Sequence, residues 1–397
     1  MNPQFPSSTP SIDVNSITAT IECALTSAGL HTESGPMQGV TETIRRALSF
    51  AGMRVNSPVA TDVLVIDVEA HVIGAPQSEP AGPRRSSLAN KPAAPGQFVT
   101  RKFANQAGAR SYKLYVPASN PGTPMPLIVM LHGCTQSPDD FAAGTQMNQL
   151  AEEHGFIVVY PEQAANANGS KCWNWFKSSD QVRDGGEPSL IAGITREVAA
   201  HYPVDPRRIF VAGLSAGAAM AVIMGEAYPE LYAGVGAHSG LPYGAAHDMP
   251  SAFAAMNGGG KGMPDLSNLP GAAAVPRKRA TRFVPTITFH GDADRTVGLG
   301  NGAELVKQAS AALAAEAGES RSATTTGVSS RGRSYSRSVH SDAAGRPRVE
   351  SWVLHGSGHA WSGGDASGTY TDATGPDASA EMVRFFLEQS QVGLGLI

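Results

Sequence analysis

The sequence predicts an α/β fold, in which helices cover both faces of a mostly parallel central sheet. Short unbroken apolar runs, such as residues 126–131 and 156–160, alternate with helical segments such as Ala216–Ala227. Parallel strands are buried on both faces and therefore read as continuous apolar runs, and the helices between them form right-handed crossovers. A stretch rich in Pro, Ala and Gly at 74–96 precedes this pattern, so we place the α/β domain at 97–390.

The individual elements follow from local patterns. Residues 98–103 and 111–117 alternate in polarity, which predicts antiparallel strands, and 333–340 and 348–354 alternate in the same way as a hairpin. Further strands are predicted at 126–131, 156–160, 208–212, 233–238 and 285–289, and helices at 137–153, 189–201, 216–227 and 378–389. Ser137 is expected to cap the first of these helices, because a serine side chain can accept a hydrogen bond from the first turn.

Three segments fall outside this alternation. The stretches at 163–188 and 241–281 are long for loops of a compact domain, and such loops are usually lids or substrate walls. Residues 1–96 are rich in Pro and Ser at the start, contain two short helical patterns between 17 and 51, and have an apolar run at 63–66. We assign no function to this N-terminal segment.

The amino-acid composition argues against several classes of function. Of the 397 residues, 41% are hydrophobic and 16% are charged, and 30 Lys and Arg against 34 Asp and Glu give a net charge of −4. Nucleic-acid partners need a clustered basic excess, so we expect none. No apolar run approaches the roughly 18 to 20 residues of a membrane span. No P-loop, G-x-G-x-x-G or H-E-x-x-H motif occurs, so we expect no cofactor and no metal, and we expect a monomer.

The cysteines leave two readings open. Cys23, Cys134 and Cys172 are too few for a disulfide scaffold and lack the spacing of zinc ligands. They are either three free buried thiols, or Cys134 pairs with Cys172, since both segments are placed near one cleft. A disulfide would imply an oxidising compartment. The first residues have no basic region and no apolar region, so no secretory signal is visible.

The motif that points most directly to a chemical reaction is Gly213-Leu-Ser-Ala-Gly217. It matches G-x-S-x-G, follows the apolar run at 208–212 and opens the helix at 216–227. This strand–turn–helix context is that of a nucleophile elbow, in which glycines on both sides of the serine relieve crowding. We therefore predict that Ser215 is a nucleophile rather than a structural serine in a glycine-rich turn.

A nucleophilic serine needs a base and an acid that orients the base. After the strand at 285–289, Asp292 and Asp294 offer two carboxylates, and we prefer Asp294 because it lies further into the loop. His359 lies in a glycine-flanked loop after the last strand and is the predicted general base. His355 is its main rival, although it stands at the end of the strand.

The oxyanion of such a reaction needs two backbone N–H donors. One is expected from Ala216, directly after the nucleophile. The other is expected from the loop after the strand at 126–131, where Gly133 allows close approach and either Cys134 or Thr135 supplies the amide.

Four aromatic residues lie in the loops near this predicted cleft. Each of them could simply pack in the core, but together they favour a wall that binds an apolar acyl or aryl group. They are Trp173, Trp175, Phe176 and Trp361.

Five segments together resemble the poly(3-hydroxybutyrate) depolymerase-type esterases, a family allied to the feruloyl and acetyl-xylan esterases. The segments are Leu131-His-Gly-Cys-Thr-Gln136, Cys172-Trp-Asn-Trp-Phe176, Gly213-Leu-Ser-Ala-Gly217, His290-Gly-Asp-Ala-Asp294 and Gly358-His-Ala-Trp-Ser-Gly-Gly364. The resemblance covers about residues 98–390. It implies the α/β-hydrolase fold, an ester substrate and an extracellular setting, with the cytoplasm as the alternative location.

The resemblance also implies roles for individual residues. Ser215, Asp294 and His359 would form the catalytic triad, and Cys134 and Ala216 would donate to the oxyanion. It further implies a disulfide between Cys134 and Cys172. Three ester classes remain open, namely hydroxyalkanoate polyesters or oligomers, feruloylated or acetylated polysaccharides, and small acyl esters. An acyltransferase on the same fold is the alternative activity.

Overall fold

A ten-stranded sheet forms the centre of the computed structural model, which describes residues 96–118, 122–258, 282–318 and 320–389. The strands are β1 (Gln97–Asn105), β2 (Gly108–Val116), β3 (Met125–Leu131), β4 (Ile157–Pro161), β5 (Val204–Leu214), β6 (Gly234–His238), β7 (Thr286–Gly291), β8 (Arg321–Val328), β9 (Ser334–Ser341) and β10 (Pro347–Leu354). The helices and strand predicted for the N-terminal segment lie outside the described residues.

The sheet is parallel in its middle and antiparallel at both ends. The strand order is β1-β2-β4-β3-β5-β6-β7-β10-β9-β8. All neighbours from β4 to β10 run parallel, whereas β1, β2, β8 and β9 pair antiparallel. The predicted α/β class is therefore confirmed. Strand β8 was not predicted, because its residues are almost all exposed and mostly polar and show no apolar alternation.

Helices cover both faces of the sheet. They are α1 (Pro138–Thr145), α2 (Met147–His154), α3 (Gly186–His201), α4 (Ala216–Ala227), α5 (Met249–Met256), α6 (Leu299–Ala317) and α7 (Ala378–Glu388), with a 3₁₀ turn at Ser178–Gln181. The sequence patterns missed α5 and α6. The two predicted long loops are thus interrupted by the 3₁₀ turn, by the start of α3 and by α5. Among the described residues, no helix combines the length and the apolar character that crossing a membrane requires.

The prediction of a single helix at 137–153 is wrong, because the helix is interrupted at Gln146. Ser137 does cap α1, accepting a hydrogen bond from the Asp140 amide. Gln146 then takes a left-handed conformation, with φ of 54°, between α1 and α2. The carbonyl groups of Gly144 and Thr145 accept hydrogen bonds from Asp365 and Ser379 respectively. These partners come from more than 200 positions away, so no local pattern could reveal the break.

Alternate residues of the central strands supply two separate apolar layers. In β3, Leu127, Val129 and Leu131 pack with α3 and α4 on one face, whereas Ile128 and Met130 pack with α1, α2 and α7 on the other. All of these side chains are fully buried. Burial on both faces explains why the strand reads as a continuous apolar run in the sequence.

The buried carboxylate of Glu350 links β10, the last parallel strand, to β9 and α7. Glu350 of β10 accepts hydrogen bonds from Arg337 of β9, from Arg384 of α7 and from the Trp352 indole. Burial acts to raise the pKa of Glu350, but the hydrogen bonds and charges of the two arginines outweigh it and lower the pKa below its ordinary value. The carboxylate therefore stays ionised in the folded protein and ties β10 to α7.

Replacing this carboxylate should cost stability in a pH-dependent way. We expect Glu350→Gln to lower the free energy of unfolding by about 2 to 3 kcal/mol at neutral pH, because two arginines lose their buried partner. Since the folded pKa is lowered, this stabilisation is complete above the unfolded pKa of about 4.3 and is lost as the pH falls through the folded value. Urea unfolding at pH 7 and at pH 3 measures the difference.

The control for this experiment is Glu388→Gln, which removes a half-exposed carboxylate that contacts the same Arg384. We expect it to change the unfolding free energy very little at either pH, as is usual for surface pairs. Equal effects of the two substitutions at pH 7 would contradict the role assigned to Glu350.

Candidate active site

The predicted nucleophile lies in a strained turn between β5 and α4. Ser215 has φ of 57° and ψ of −119°, outside the regions that non-glycine residues usually occupy. A Cβ atom at Gly217 would lie 2.0 Å from the Leu131 carbonyl oxygen, and one at Gly213 would lie 2.5 Å from the Gly217 carbonyl carbon. Only glycine fits at these two positions, because backbone atoms already occupy the space that a side chain would need.

The second and third predicted residues are hydrogen-bonded to each other. Asp294 lies in the loop after β7 and His359 in the loop after β10, and Asp294 Oδ2 is 2.7 Å from His359 Nδ1. The other oxygen, Asp294 Oδ1, accepts from the amides of Thr296 and Val297, each at 2.9 Å. Because the carboxylate is an acceptor, Nδ1 carries the proton and His359 Nε2 is left as an acceptor.

The electrostatics of Asp294 favour its ionised form. Its side chain is fully buried, and burial acts to raise the pKa of the carboxyl. The hydrogen bond from His359 and the two amide hydrogen bonds outweigh this, so the pKa of Asp294 lies below its ordinary value. An ionised Asp294 can hold the imidazole in one tautomer and orientation.

Parallel register brings the three loops to one edge of the sheet. β5, β6, β7 and β10 are consecutive neighbours, and Leu214 pairs with His238, which pairs with Phe289. Ser215 N–H donates to the His238 carbonyl at 2.9 Å. Among the described residues, no hydrogen bond joins Ser215 Oγ to His359. Such bonds are often long without substrate and shorten in the reacting complex.

The rival histidine forms a separate pair with the rival aspartate. His355 Nδ1 is 2.9 Å from Asp292 Oδ2, and its Nε2 is 2.8 Å from Ser336 Oγ. Both ring nitrogens are thus occupied, and the side chain is 41% exposed. Asp292 also accepts from the Gly356 amide. The structure therefore hydrogen-bonds Asp294 to His359 and Asp292 to His355.

His238 has the surroundings of a structural histidine. Its ring stacks between Phe289 and Trp361, and its Nε2 accepts from the Ser362 amide at 3.0 Å. Burial lowers the pKa of His238 to about 3. A neutral ring with both faces covered contributes packing and one loop contact.

The loop after β3 presents the predicted oxyanion donors. Three of its amides already donate within the protein, and they belong to Gly133, Thr135 and Gln136. The amide of Cys134 has no acceptor in the part of the chain that the structure describes, and the same is true of the Ala216 amide. Of the two alternatives for this loop, the hydrogen-bond pattern thus favours Cys134 over Thr135.

A disulfide joins this loop to the segment before α3. Cys134 and Cys172 are bonded, with their Cα atoms 4.2 Å apart. The Thr135 amide also donates to the Ser170 carbonyl at 2.7 Å. The reading with three free thiols is therefore wrong, and the pairing implied by the family resemblance is confirmed.

A buried polar network that the sequence analysis missed supports the same loop. Glu187 accepts from the Asn174 amide at 2.7 Å and from the Gln163 side chain, and the Gln163 amide donates to His132 Nε2 at 3.1 Å. Burial raises the pKa of Glu187 and outweighs its hydrogen bonds. Burial also lowers the pKa of His132 to about 4, so this ring is neutral. No spacing in the sequence signals such a network.

The predicted aromatic wall lies mostly in the core. Trp173 and Trp361 are fully buried, and their indole N–H groups donate to the His132 carbonyl and to Ser379 Oγ. Trp175 and Phe176 pack edge to face and are nearly buried. Large apolar rings between sheet and loops gain more from burial than from exposure at a cleft. Trp173 and Trp361 therefore offer no surface to a substrate in this structure.

Within the described ranges, no group of three or more His, Cys, Asp or Glu side chains could hold a metal ion.

The strand order and the serine elbow define an α/β-hydrolase fold. The family model described as Esterase PHB depolymerase matches residues 110–327, which are 218 of the 397 residues. The chain therefore belongs to the Esterase PHB depolymerase family.

Individual relatives support this assignment. Poly(3-hydroxyalkanoate) depolymerase C of Paucimonas lemoignei is 33% identical over 262 residues, which are 65% of this chain and 60% of that protein. Probable acetylxylan esterase A of Aspergillus flavus is 33% identical over 219 residues, 53% of this chain and 68% of that protein. The solved acetyl xylan esterase from Aspergillus awamori shares the fold, with a TM-score of 0.55 and 20% identity over 73% of this chain and 99% of that one.

Thiol chemistry checks the disulfide. With Cys134 and Cys172 bonded, titration of the denatured, unreduced protein should find one free thiol, and titration after reduction should find three. Changing both residues to alanine should lower the unfolding free energy by about 4 kcal/mol, the chain-entropy value for a 38-residue separation. Changing Cys23 to alanine is the control. Three free thiols before reduction would contradict the bond.

Proposed function

We propose that this protein is a serine carboxylic-ester hydrolase that uses Ser215, His359 and Asp294. The observation that carries the proposal is the Asp294–His359 hydrogen bond at the sheet edge where the strained Ser215 turn also lies. The chain order of serine, aspartate and histidine is that of α/β hydrolases. The family to which the chain belongs supports the same reaction class. The chain spans only 60% of the length of the depolymerase relative, so its activity is inferred from the site.

In the proposed reaction, Ser215 Oγ attacks the ester carbonyl carbon and its proton passes to His359 Nε2. The amides of Cys134 and Ala216 donate to the negative oxygen of the tetrahedral intermediate. The carbon–oxygen bond to the alcohol then breaks, and the alcohol leaves with the proton from His359. Water attacks the acyl-enzyme with His359 as base, which releases the acid and restores the serine.

For the substrate we propose hydroxyalkanoate-type or related short-acyl esters. The names of the relatives favour two classes, poly(3-hydroxyalkanoate) and acetylated xylan. We also propose an extracellular, oxidising location, because disulfides persist there and are rare in the cytosol. The Cys134–Cys172 bond supports this proposal.

Matched substitutions test the assignment of the three residues. Ser215→Ala should lower kcat for p-nitrophenyl butyrate by about 10⁵-fold or more, because the nucleophile is lost. Asp294→Asn should lower kcat by about 10⁴-fold, because the imidazole loses the partner that sets its tautomer. His359→Ala should abolish turnover to a similar extent. Steady-state kinetics on folded variants provides the measurement.

The second aspartate–histidine pair supplies the controls. Asp292→Asn and His355→Ala remove the same chemical groups two and four residues earlier in the sequence, and we expect both variants to keep kcat within a few-fold of the wild type. A loss in Asp292→Asn as large as in Asp294→Asn would contradict the assignment of Asp294 as the acid.

A substrate panel tests the proposed class. We expect release of acid from short p-nitrophenyl esters and from hydroxybutyrate oligomers, measured beside polyhydroxybutyrate film, methyl ferulate and acetylated xylan. Higher kcat/KM on acetylated xylan than on the hydroxybutyrate oligomers would instead place this chain with the acetylxylan esterases. Adding alcohols to the assay should leave free acid as the product, whereas transfer of the acyl group to the alcohol would contradict hydrolysis as the main activity.

A further inference from the structure

Tyr370 is an exposed aromatic residue that contacts both the loop after β3 and the segment that follows His359. It precedes a short strand, β12 (Thr371–Asp372), that pairs with β11 (Trp361–Ser362). The Trp361 amide donates to the Tyr370 carbonyl at 2.6 Å. Trp361 is two positions after His359, so the backbone of Tyr370 is bonded to the loop that carries the proposed base. Its side chain is not packed in the core, with 47% of the residue exposed.

The hydroxyl group of Tyr370 contacts the oxyanion loop, residues 132–136 after β3, which carries one of the proposed oxyanion donors. Tyr370 Oη is 3.2 Å from Thr135 Oγ1, and Thr135 Oγ1 donates to the Cys134 carbonyl at 2.6 Å. Because the threonine proton is used in that bond, Tyr370 is the donor to Thr135. The neighbouring Thr369 carbonyl accepts from the Gln136 side chain at 3.1 Å. Tyr370 therefore connects the oxyanion loop with the base loop, residues 355–360, which carries the proposed base His359.

Backbone strain occurs on both sides of this contact. Tyr370 has φ of 53° and Thr135 has φ of 66°, values that bulky and β-branched residues rarely adopt. Such conformations persist where surrounding contacts hold them, and they cluster at ligand-binding positions. An asparagine or glycine would fit the backbone at 370 more easily. A tyrosine that keeps this strained backbone conformation while its ring is exposed indicates a functional role for the side chain.

We propose that Tyr370 is a substrate-contacting residue that packs its ring against the acyl chain of the ester. This inference rests on the proposed function. In the proposed reaction the oxyanion loop binds the carbonyl oxygen of the substrate. The acyl chain extends from the carbonyl carbon that carries this oxygen. The Tyr370 ring is anchored to that loop through Thr135 and covers an acyl chain longer than acetyl. Trp173 and Trp361 are buried and cannot do so, which leaves Tyr370 as an exposed aromatic next to the oxyanion loop.

Acyl-chain length separates this role from a structural one. The test compares p-nitrophenyl acetate and p-nitrophenyl butyrate in the wild type, Tyr370→Phe and Tyr370→Asn. Asparagine removes the ring but suits a left-handed backbone, so the loop keeps its shape. We expect Tyr370→Asn to raise KM for the butyrate about 3- to 10-fold and to change KM for the acetate much less. Tyr370→Phe also loses the hydroxyl contact with Thr135 but keeps the ring, so its KM for the butyrate should rise clearly less than that of Tyr370→Asn.

Two further comparisons sharpen the test. Ethyl butyrate should show the same rise in KM as p-nitrophenyl butyrate, because the acyl chain is shared and the alcohol differs. Tyr202→Phe, at the opposite edge of the sheet before β5, should change neither KM nor kcat. A melting temperature for each variant confirms that it is folded, and Tyr370→Gly replaces Tyr370→Asn if that variant does not fold.

Several outcomes would overturn the proposal. Equal changes for acetate and butyrate, or a lower kcat with unchanged KM, would make Tyr370 a structural or positioning residue. A change that follows the alcohol instead of the acyl chain would place it on the other side of the ester. If the wild type is active and depends on Ser215 but Tyr370→Asn changes nothing, only this inference fails. If the wild type hydrolyses no ester, the proposed function fails with it.

Discussion

The candidate site depends on backbone contact between the serine turn and the end of β3. Gly217 lies so close to the Leu131 and His132 carbonyl groups that no side chain fits between them. This contact places the Ala216 amide, at the start of α4, beside the loop that presents the Cys134 amide. It also holds Ser215 in a conformation that would be unfavourable in isolation. The positions of the proposed donors and of the proposed nucleophile thus depend on the same few backbone atoms.

The oxyanion loop is supported by polar groups that are expensive to bury. Glu187, Gln163 and His132 form a chain of hydrogen bonds beneath it, and burial shifts the pKa of both ionisable members toward the neutral form. Satisfied buried networks rigidify a structure, whereas partly satisfied ones destabilise it. Together with the Cys134–Cys172 bond, this network links the loop after β3 to the segment before α3.

The base loop is fastened in a different way, by ion pairs and by a second aspartate–histidine pair. Glu350 ties β10 to α7, and Asp292 binds both His355 and the Gly356 amide just before the loop that carries His359. In the inner pair, Asp294 is fully buried and the His359 side chain is 12% exposed, whereas in the outer pair His355 and Asp292 are 41% and 35% exposed. Burial thus distinguishes two pairs made of the same chemical groups, and the more buried of them is the pair that we propose for catalysis.

The sequence by itself determined the α/β class, most of the strands and the serine turn, because apolar periodicity and glycine positions are local signals. It also named Asp294 and His359 ahead of their rivals, a choice that loop position suggested and the observed pairing supports. Only the tertiary structure decided the break at Gln146, the burial of Trp173 and Trp361, the Glu187 network and the exposed position of Tyr370. Each of these depends on partners distant along the chain, and a local pattern carries no information about which distant groups will be nearby.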